Sequence, residues 1–299
     1  ISGNKIQNII NAYEALGIEL YNIGTPEIFN NVISNIIGDG SETSSATGVY
    51  LTLSENTQNA LIANNVINHL GGYAGATGLF VEIDATTLPS GGVKILNNTI
   101  SLNKDSFVAL GSSGAQVNGV RLFSSSYLQK KVTFLNNIVS VKLGDRAFTT
   151  SGTSGNGLHI LNKGLFAESN YNLIEVSGND VNYIVATDSA GGVNLASIDN
   201  WKAYSSGFDV NSVSAAPNFV NDSSWMLAYN SPCINAGKPA FTGLSAVGIT
   251  KDVRGWNRIV NGTIDIGAVE FEALQITSQS ANQNICQGTN ATLVVTTNY

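Results

Sequence analysis

Apolar residues fall in runs of four to seven along this chain, rich in Val, Ile, Leu and Thr and too short for amphipathic helices. The pattern therefore predicts short strands. One kind of run breaks its own rule. In VKILNNTISL (93–102) the apolar stretch stops at Asn97-Asn98 and then resumes. The same interruption occurs in PEIFNNVIS (26–34), ALIANNVIN (60–68) and VTFLNNIVS (132–140), so the first Asn falls at 30, 64, 97 and 136. FAESNYNLI (166–174) reads as a degenerate fifth copy. A second motif alternates with the first: LGIELYN, TGVYLTL, TGLFVEI, NGVRLFS and NGLHILN, with its glycine at 17, 48, 78, 119 and 157. Two interleaved motifs on one drifting period form an internal repeat.

Around each Asn pair, apolar residues stand two before the first Asn (Ile28, Ile62, Ile95, Phe134) and three after it (Ile33, Ile67, Ile100, Val139). These sites are five apart, whereas an unbroken strand keeps one face at even spacing. The chain must bend at the pair, and Asn tolerates the left-handed conformation that a corner needs. Stacked coil on coil, Asn30, Asn31, Asn64, Asn65, Asn97, Asn98, Asn136 and Asn137 then predict an internal amide ladder. Two or three short strands per thirty-odd residues, stacked in register, describe an all-β parallel β-helix solenoid. GDGSETSSA, NKDSFVALGSSGAQ and KLGDRAFTTSGTSG are the longer excursions between motifs, and SFVAL and RAFTT could each hold a third short strand.

Composition narrows the partners. Of 299 residues 43% are hydrophobic, enough for a substantial core, and only 12% are charged. The net charge is −7 with no cluster of Lys or Arg, which argues against nucleic acid and anionic membrane as partners. No run approaches eighteen apolar residues, so no membrane insertion is expected. The chain shows no signal peptide and opens on ISGNKIQNII, already in repeat-like pattern, so it reads as a segment of a longer protein. His69 and His159 are its only histidines, which excludes a multi-histidine metal site. Asp/Asn-rich turns such as GDGSE (Asp39, Glu42) could take calcium but are more often simply solvated, and no cofactor is expected. Cys233 and Cys286 make no metal motif, and Cys233 reads as a small buried residue.

The NN-x-I repeats, over roughly residues 4–185, resemble right-handed parallel β-helix proteins of the pectate-lyase-like superfamily. IDNWKAYSSGFDVNSVSAAPNFVNDSSWMLAYNSPCINAGKPA (198–240) is similar to the closing segment of many bacterial β-helix proteins, with its D-x-N-S, P-x-F and SP-x-I-x-AG pieces. KDVRGWNRIVNGTIDIGAVEF (251–271) resembles the terminal signature of proteins with a choice-of-anchor Q domain, although Cys233 replaces the usual Ala and Asn235 a common Asp. The resemblance implies a secreted or cell-surface protein. It divides the chain into coils at 1–185, the last coils with a closing and capping segment at 186–271, and a further piece at 272–299. In that last piece, C-x-G-x-x-A-T-L-x-V resembles the first strands of immunoglobulin-like modules in surface proteins of Bacteroidetes, which implies an incomplete β-sandwich whose Cys286 lacks its partner. Asp252, Arg258, Asp265 and Glu270 read as a charged cluster that staples and caps the last coil.

Enzymes of this resemblance act from the outer face of one sheet. In the glycine-motif strands the residues two after Gly point outward: Glu19, Tyr50, Phe80, Arg121 and His159. The next outward column is Tyr21, Thr52, Glu82, Phe123 and Leu161. The candidate chemistry is a lyase on an acidic polysaccharide, with Arg121 stabilising charge, His159 as base and Glu82 beside them. Against it, one cation is few for an anionic polymer. Glu19 and Glu82 stand about 9.6 Å apart by coil spacing, at the limit of the 6.5–9.5 Å that an inverting hydrolase needs. The favoured expectation is a non-catalytic stalk or adhesin binding glycan or surface polysaccharide through Tyr50, Phe80, Phe123 and Tyr21, with other domains of the same long chain as neighbours.

Overall fold

The computed structural model describes residues 1–40, 43–57, 59–84, 92–103, 115–124, 130–143, 154–178, 183–221, 224–260, 262–271 and 276–297. It is half strand and 6% helix. Sheet 1 holds β1 (Lys5–Asn11), β4 (Val32–Gly38), β7 (Val66–Gly72), β10 (Thr99–Asn103), β13 (Ile138–Leu143) and β16 (Leu173–Gly178). Sheet 2 holds β2 (Glu14–Tyr21), β5 (Ser45–Ser54), β8 (Gly75–Asp84), β11 (Gln116–Ser124), β14 (Ser154–Ile160) and β17 (Tyr183–Asp188), with β18 (Val193–Leu195) antiparallel at its end. Sheet 3 holds β3 (Glu27–Phe29), β6 (Asn59–Ala63), β9 (Gly92–Leu96), β12 (Val132–Leu135) and β15 (Phe166–Asn170). Apart from β18, every neighbour within these sheets runs parallel, and the chain visits them in the order sheet 2, sheet 3, sheet 1. The result is an all-β, parallel, solenoid-like stack. One buried cluster draws on all three sheets.

Two motifs supply three strands because the Asn pair is a corner between sheets. The apolar site before each pair belongs to sheet 3 and the site after it to sheet 1. Ile28, Ile62, Ile95 and Phe134 are in register and fully buried, as are Ile33, Ile67, Ile100 and Val139. SFVAL and RAFTT lie outside the described residues.

The two amides of each pair do different work. The first Asn takes the left-handed turn, with φ between 51 and 57° at Asn30, Asn64, Asn97 and Asn136. The second points inward. Each inner amide donates its Nδ2 to the Oδ1 of its counterpart one coil on, along Asn4, Asn31, Asn65, Asn98, Asn137 and Asn172, at 2.9–3.2 Å. The same Oδ1 also accepts the backbone N–H of the preceding Asn. The row is therefore longer than the four pairs expected. Gly3 (φ 68°) and Tyr171 (φ 55°) take the turn at its two ends. It stops on the buried Asp209, whose carboxylate accepts from Asn172 Nδ2, Trp201 Nε1, Ser169 Oγ and Ser212 Oγ.

The second motif's glycines follow from packing. A Cβ on Gly119 would sit 2.2 Å from Val139 Cγ1 and 2.8 Å from Gly157 O, and Gly17, Gly48, Gly78 and Gly157 are crowded in the same way. Each glycine admits the inward residue that follows an Asn corner, so the two motifs are one packing unit.

The end of the stack is closed by helix α1 (Ile198–Ser205), capped by Ser197 Oγ accepting from Asn200 N–H. Its fully buried Trp201 packs edge-on to Phe166. The cluster Asp252, Arg258, Asp265 and Glu270, expected at this end, lies elsewhere. Residues 231–271 run back along the outside of the Asn corners as a strap. Asp265 O and Gly267 O accept from Asn97, Lys251 O accepts from Asn64, and Ala268 N–H donates to Thr99 Oγ1. Phe241, Leu244, Ile249 and Ile264 of the strap cover the outward Leu61, Leu96 and Leu135. The reason is the apolar outer face of sheet 3, which must be covered, whereas α1 already closes the end. Cys233 is buried in a separate cluster with Ile138 and Leu173 of sheet 1, and that burial pushes its thiol up to about 12.

Within the strap, Arg254 binds Asp252 through Nε and Nη2, and Arg258 meets Glu270 at 3.2 Å. Three carboxyls face two guanidiniums in a buried site, so charge balances when one carboxyl keeps its proton. Burial pushes Glu270 up to about 8, with Arg258 pulling the other way. Residues 276–297 carry β19 (Ile276–Gln279) and β20 (Val295–Thr297), an antiparallel pair, with the exposed Cys286 in the segment that joins them.

Asn98→Ala removes the acceptor of two N–H groups on Asn65 and the donor to Ile62 O, and is expected to cost at least about 3 kcal/mol. Gly119→Ala is expected to cost about 1–3 kcal/mol by overpacking. Chemical denaturation measures both, and either protein matching the wild type would count against this packing. A carboxyl that holds its proton in the fold but releases it when unfolded stabilises only at low pH. Stability should therefore fall as pH rises from 4.5 through about 8, and Glu270→Gln should flatten that slope in thermal melts.

Candidate functional site

Sheet register brings the outward residues of the glycine motif into one column: Glu19, Tyr50, Phe80, Arg121, His159 and Thr187. Tyr21, Thr52, Glu82 and Phe123 form the column beside it. Neighbouring coils stand about 4.8 Å apart, close enough for side chains of adjacent strands to touch all along the row.

They do so by stacking. Tyr50 and Phe80 lie face to face, with centroids 4.8 Å apart and planes 11° from parallel. Tyr21 meets Tyr50 edge-on at 5.7 Å. The Arg121 guanidinium continues the stack 4.7 Å above Phe80 and 5.9 Å from Phe123. Tyr50 and Phe80 thus spend ring faces on each other and on Arg121. The open aromatic surface belongs to Tyr21 and Phe123, which are 53% and 36% exposed. Among the described residues Arg121 ion-pairs with no carboxylate, and its buried Nε has no hydrogen-bond partner.

The polar members are tied down. Tyr50 donates its hydroxyl to Glu82 Oε2 at 2.6 Å, and burial followed by that bond pushes the phenol up to about 12. His159 Nδ1 lies 3.3 Å from Asn118 Oδ1, which also accepts from Asn156 Nδ2, and its Nε2 lies 3.0 Å from Ser189 Oγ. An amide oxygen only accepts, so Nδ1 carries the proton and Nε2 accepts from the serine. Burial, and then Arg121, hold the imidazole below its ordinary value and neutral at pH 7.

Sequence reasoning placed Arg121 beside His159 and Phe80, and Glu82 beside Phe123, and these pairs are neighbours in the sheet. It missed Asn118, Asn156 and Ser189. The first two stand just before the motif glycine, ahead of the outward columns that begin two residues after it, and Ser189 follows the last coil strand with no repeat to mark it. Among the described residues no group of three or more His, Cys, Asp and Glu could hold a metal ion. Asp39 is exposed, and Glu42 lies outside the described residues. No described helix is long and apolar enough to cross a membrane. No family model, curated protein or solved structure matches the chain.

The His159 ring is expected to titrate below 6.5, and Arg121→Gln should raise its pKa without restoring it fully, because burial is the larger cause. NMR titration of the ring protons measures both, and a wild-type value at or above 6.5 would overturn the assignment.

Proposed function

We propose that the chain is a right-handed parallel β-helix module of a larger secreted or cell-surface bacterial protein, acting as a non-catalytic stalk or adhesin that contacts glycan through the outer face of sheet 2. The observation that carries this reading is the stacked row Tyr50–Phe80–Arg121, flanked by the exposed rings of Tyr21 and Phe123. Rigid aromatic surface with a cation beside it suits sugar rings, whose C–H faces stack on aromatics while their polar groups reach charged neighbours. The resemblance of 198–240 and 251–271 to closing segments of surface proteins supports the location, and the strand pair at 276–297 fits the start of an immunoglobulin-like module. The parallel stack of three sheets supports the β-helix assignment.

The second reading is a polysaccharide lyase or glycoside hydrolase on the same face, favoured by Arg121 adjoining His159. Two contacts weigh against it. Both nitrogens of His159 are already engaged, and Glu82 is bonded to Tyr50.

On a glycan array the protein should bind at least one carbohydrate, and Tyr21→Ala with Phe123→Ala should weaken that binding about tenfold or more, the equivalent of ~1.4 kcal/mol. Unchanged binding would remove these rings from the site. Unsaturated product formed from a uronate polymer, and lost in Arg121→Gln/His159→Gln, would replace the adhesin reading with the lyase.

A further inference from the structure

The strap does not lie flush against sheet 1. A groove of about 750 Å³ runs between the outer face of the first three coils and the strap residues 251–255, with Trp225 at its side. That volume lies within the ~300–1,000 Å³ usual for small-molecule sites.

Its floor is the polar column Gln7, Ser34 and Asn68, in register across β1, β4 and β7. Asn68 is only 5% exposed, and its buried Oδ1 has no hydrogen-bond partner among the described residues. A buried unpaired amide oxygen is costly, and such a group commonly marks a ligand or water site. Next to it, His69 takes the left-handed conformation at φ 54°. The inward residues Ile67 and Leu70 are three apart there, again an odd spacing that forces a turn. In the two preceding coils the turn is taken by Asn8 (φ 62°) and Asn35 (φ 57°), whose amides bond each other at 2.7 Å. The third coil puts an imidazole where the first two keep an amide, and that imidazole has no partner among the described residues. The Trp225 indole N–H likewise has no partner among the described residues.

The walls are positively charged in a chain of net charge −7. Arg254 and Asp252 neutralise each other. Among the described residues Lys5 and Lys251 have no ion-pair partner, Lys251 being steadied by the neutral Asn257 Oδ1.

We propose that this groove binds an acidic oligosaccharide, with Trp225 stacking on a sugar ring, Lys5 and Lys251 pairing with carboxylates, and Asn68 and His69 bonding to hydroxyls at the floor. The site shares no residue with the sheet 2 face, so either can fail without the other. Titration calorimetry of the whole chain with a uronate tetrasaccharide, its methyl ester and a neutral glucan tetrasaccharide tests it. The uronate should bind, and the ester and the glucan should bind at least about tenfold more weakly, because an anionic ligand loses its partner charges with its carboxylates. Lys5→Gln/Lys251→Gln and Asn68→Asp should each weaken uronate binding to a similar degree. Trp225→Phe should remove the fluorescence change on titration, and Phe123→Ala on the other face should change nothing. Lys5 and Lys251 are exposed, so their variant reports on binding with the fold intact. Absence of uronate binding at millimolar concentration, equal affinity for the ester, or affinity lost only in Phe123→Ala would each overturn the proposal. A sulfated tetrasaccharide that binds while the uronate does not would overturn the carboxylate assignment.

Discussion

A side-chain amide taken out of water must bond at every position or cost the fold heavily, and the inner asparagines solve this collectively. Each gives its Nδ2 to the next coil and takes two N–H groups from the coil before, so the row has a direction. A directed row needs an acceptor at its far end. Asp209 supplies it, held by the helix that closes the stack through Trp201 Nε1. The D-x-N-S stretch therefore reads as the terminus of the ladder, with Ser212 Oγ accepting the last backbone N–H, that of Asn172. Corner, glycine spacing and end helix all follow from keeping that row continuous.

Much of this was legible in the sequence because it is periodic. The odd spacing between Ile95 and Ile100 alone requires a corner at Asn97-Asn98, and repetition of the glycine strand places its outward residues in rows. What periodicity does not carry was hidden. No local rule separates the outer Asn97 from the inner Asn98, since the division depends on which side of the corner faces the core. The ends of the ladder were only partly legible: FAESNYNLI reads as a degenerate copy, but Gly3-Asn4 and Tyr171-Asn172 keep only half the motif, so Asn4 and Asn172 were not assigned to the row. The strap escaped altogether. Its Phe241, Leu244 and Ile264 have no strand pattern, and their partners Leu61, Leu96 and Leu135 look like ordinary strand residues until one asks what covers them.

The same division separates the two candidate surfaces. The sheet 2 face consists of rows, one residue per coil, and a reader who finds the repeat finds the row. The groove at Asn68, His69 and Trp225 joins repeat residues to a segment more than 150 residues later, and only the folded closing segment brings them together. In both places the stack's regularity fixes the geometry, and a departure from it supplies the chemistry: Arg121 where aromatics precede, His69 where asparagines precede.

Stacked repeats normally lose their ends one unit at a time, because each coil touches only its neighbours. Here the strap is bonded to Asn64, Asn97, Thr99 and Asn136, joining residues up to 187 positions apart across successive coils. A terminal coil cannot peel away without breaking contacts to a segment that also grips the middle of the stack. The strap thus turns a chain of nearest-neighbour couplings into a single cooperative unit, at the cost of long loop closures that slow its assembly.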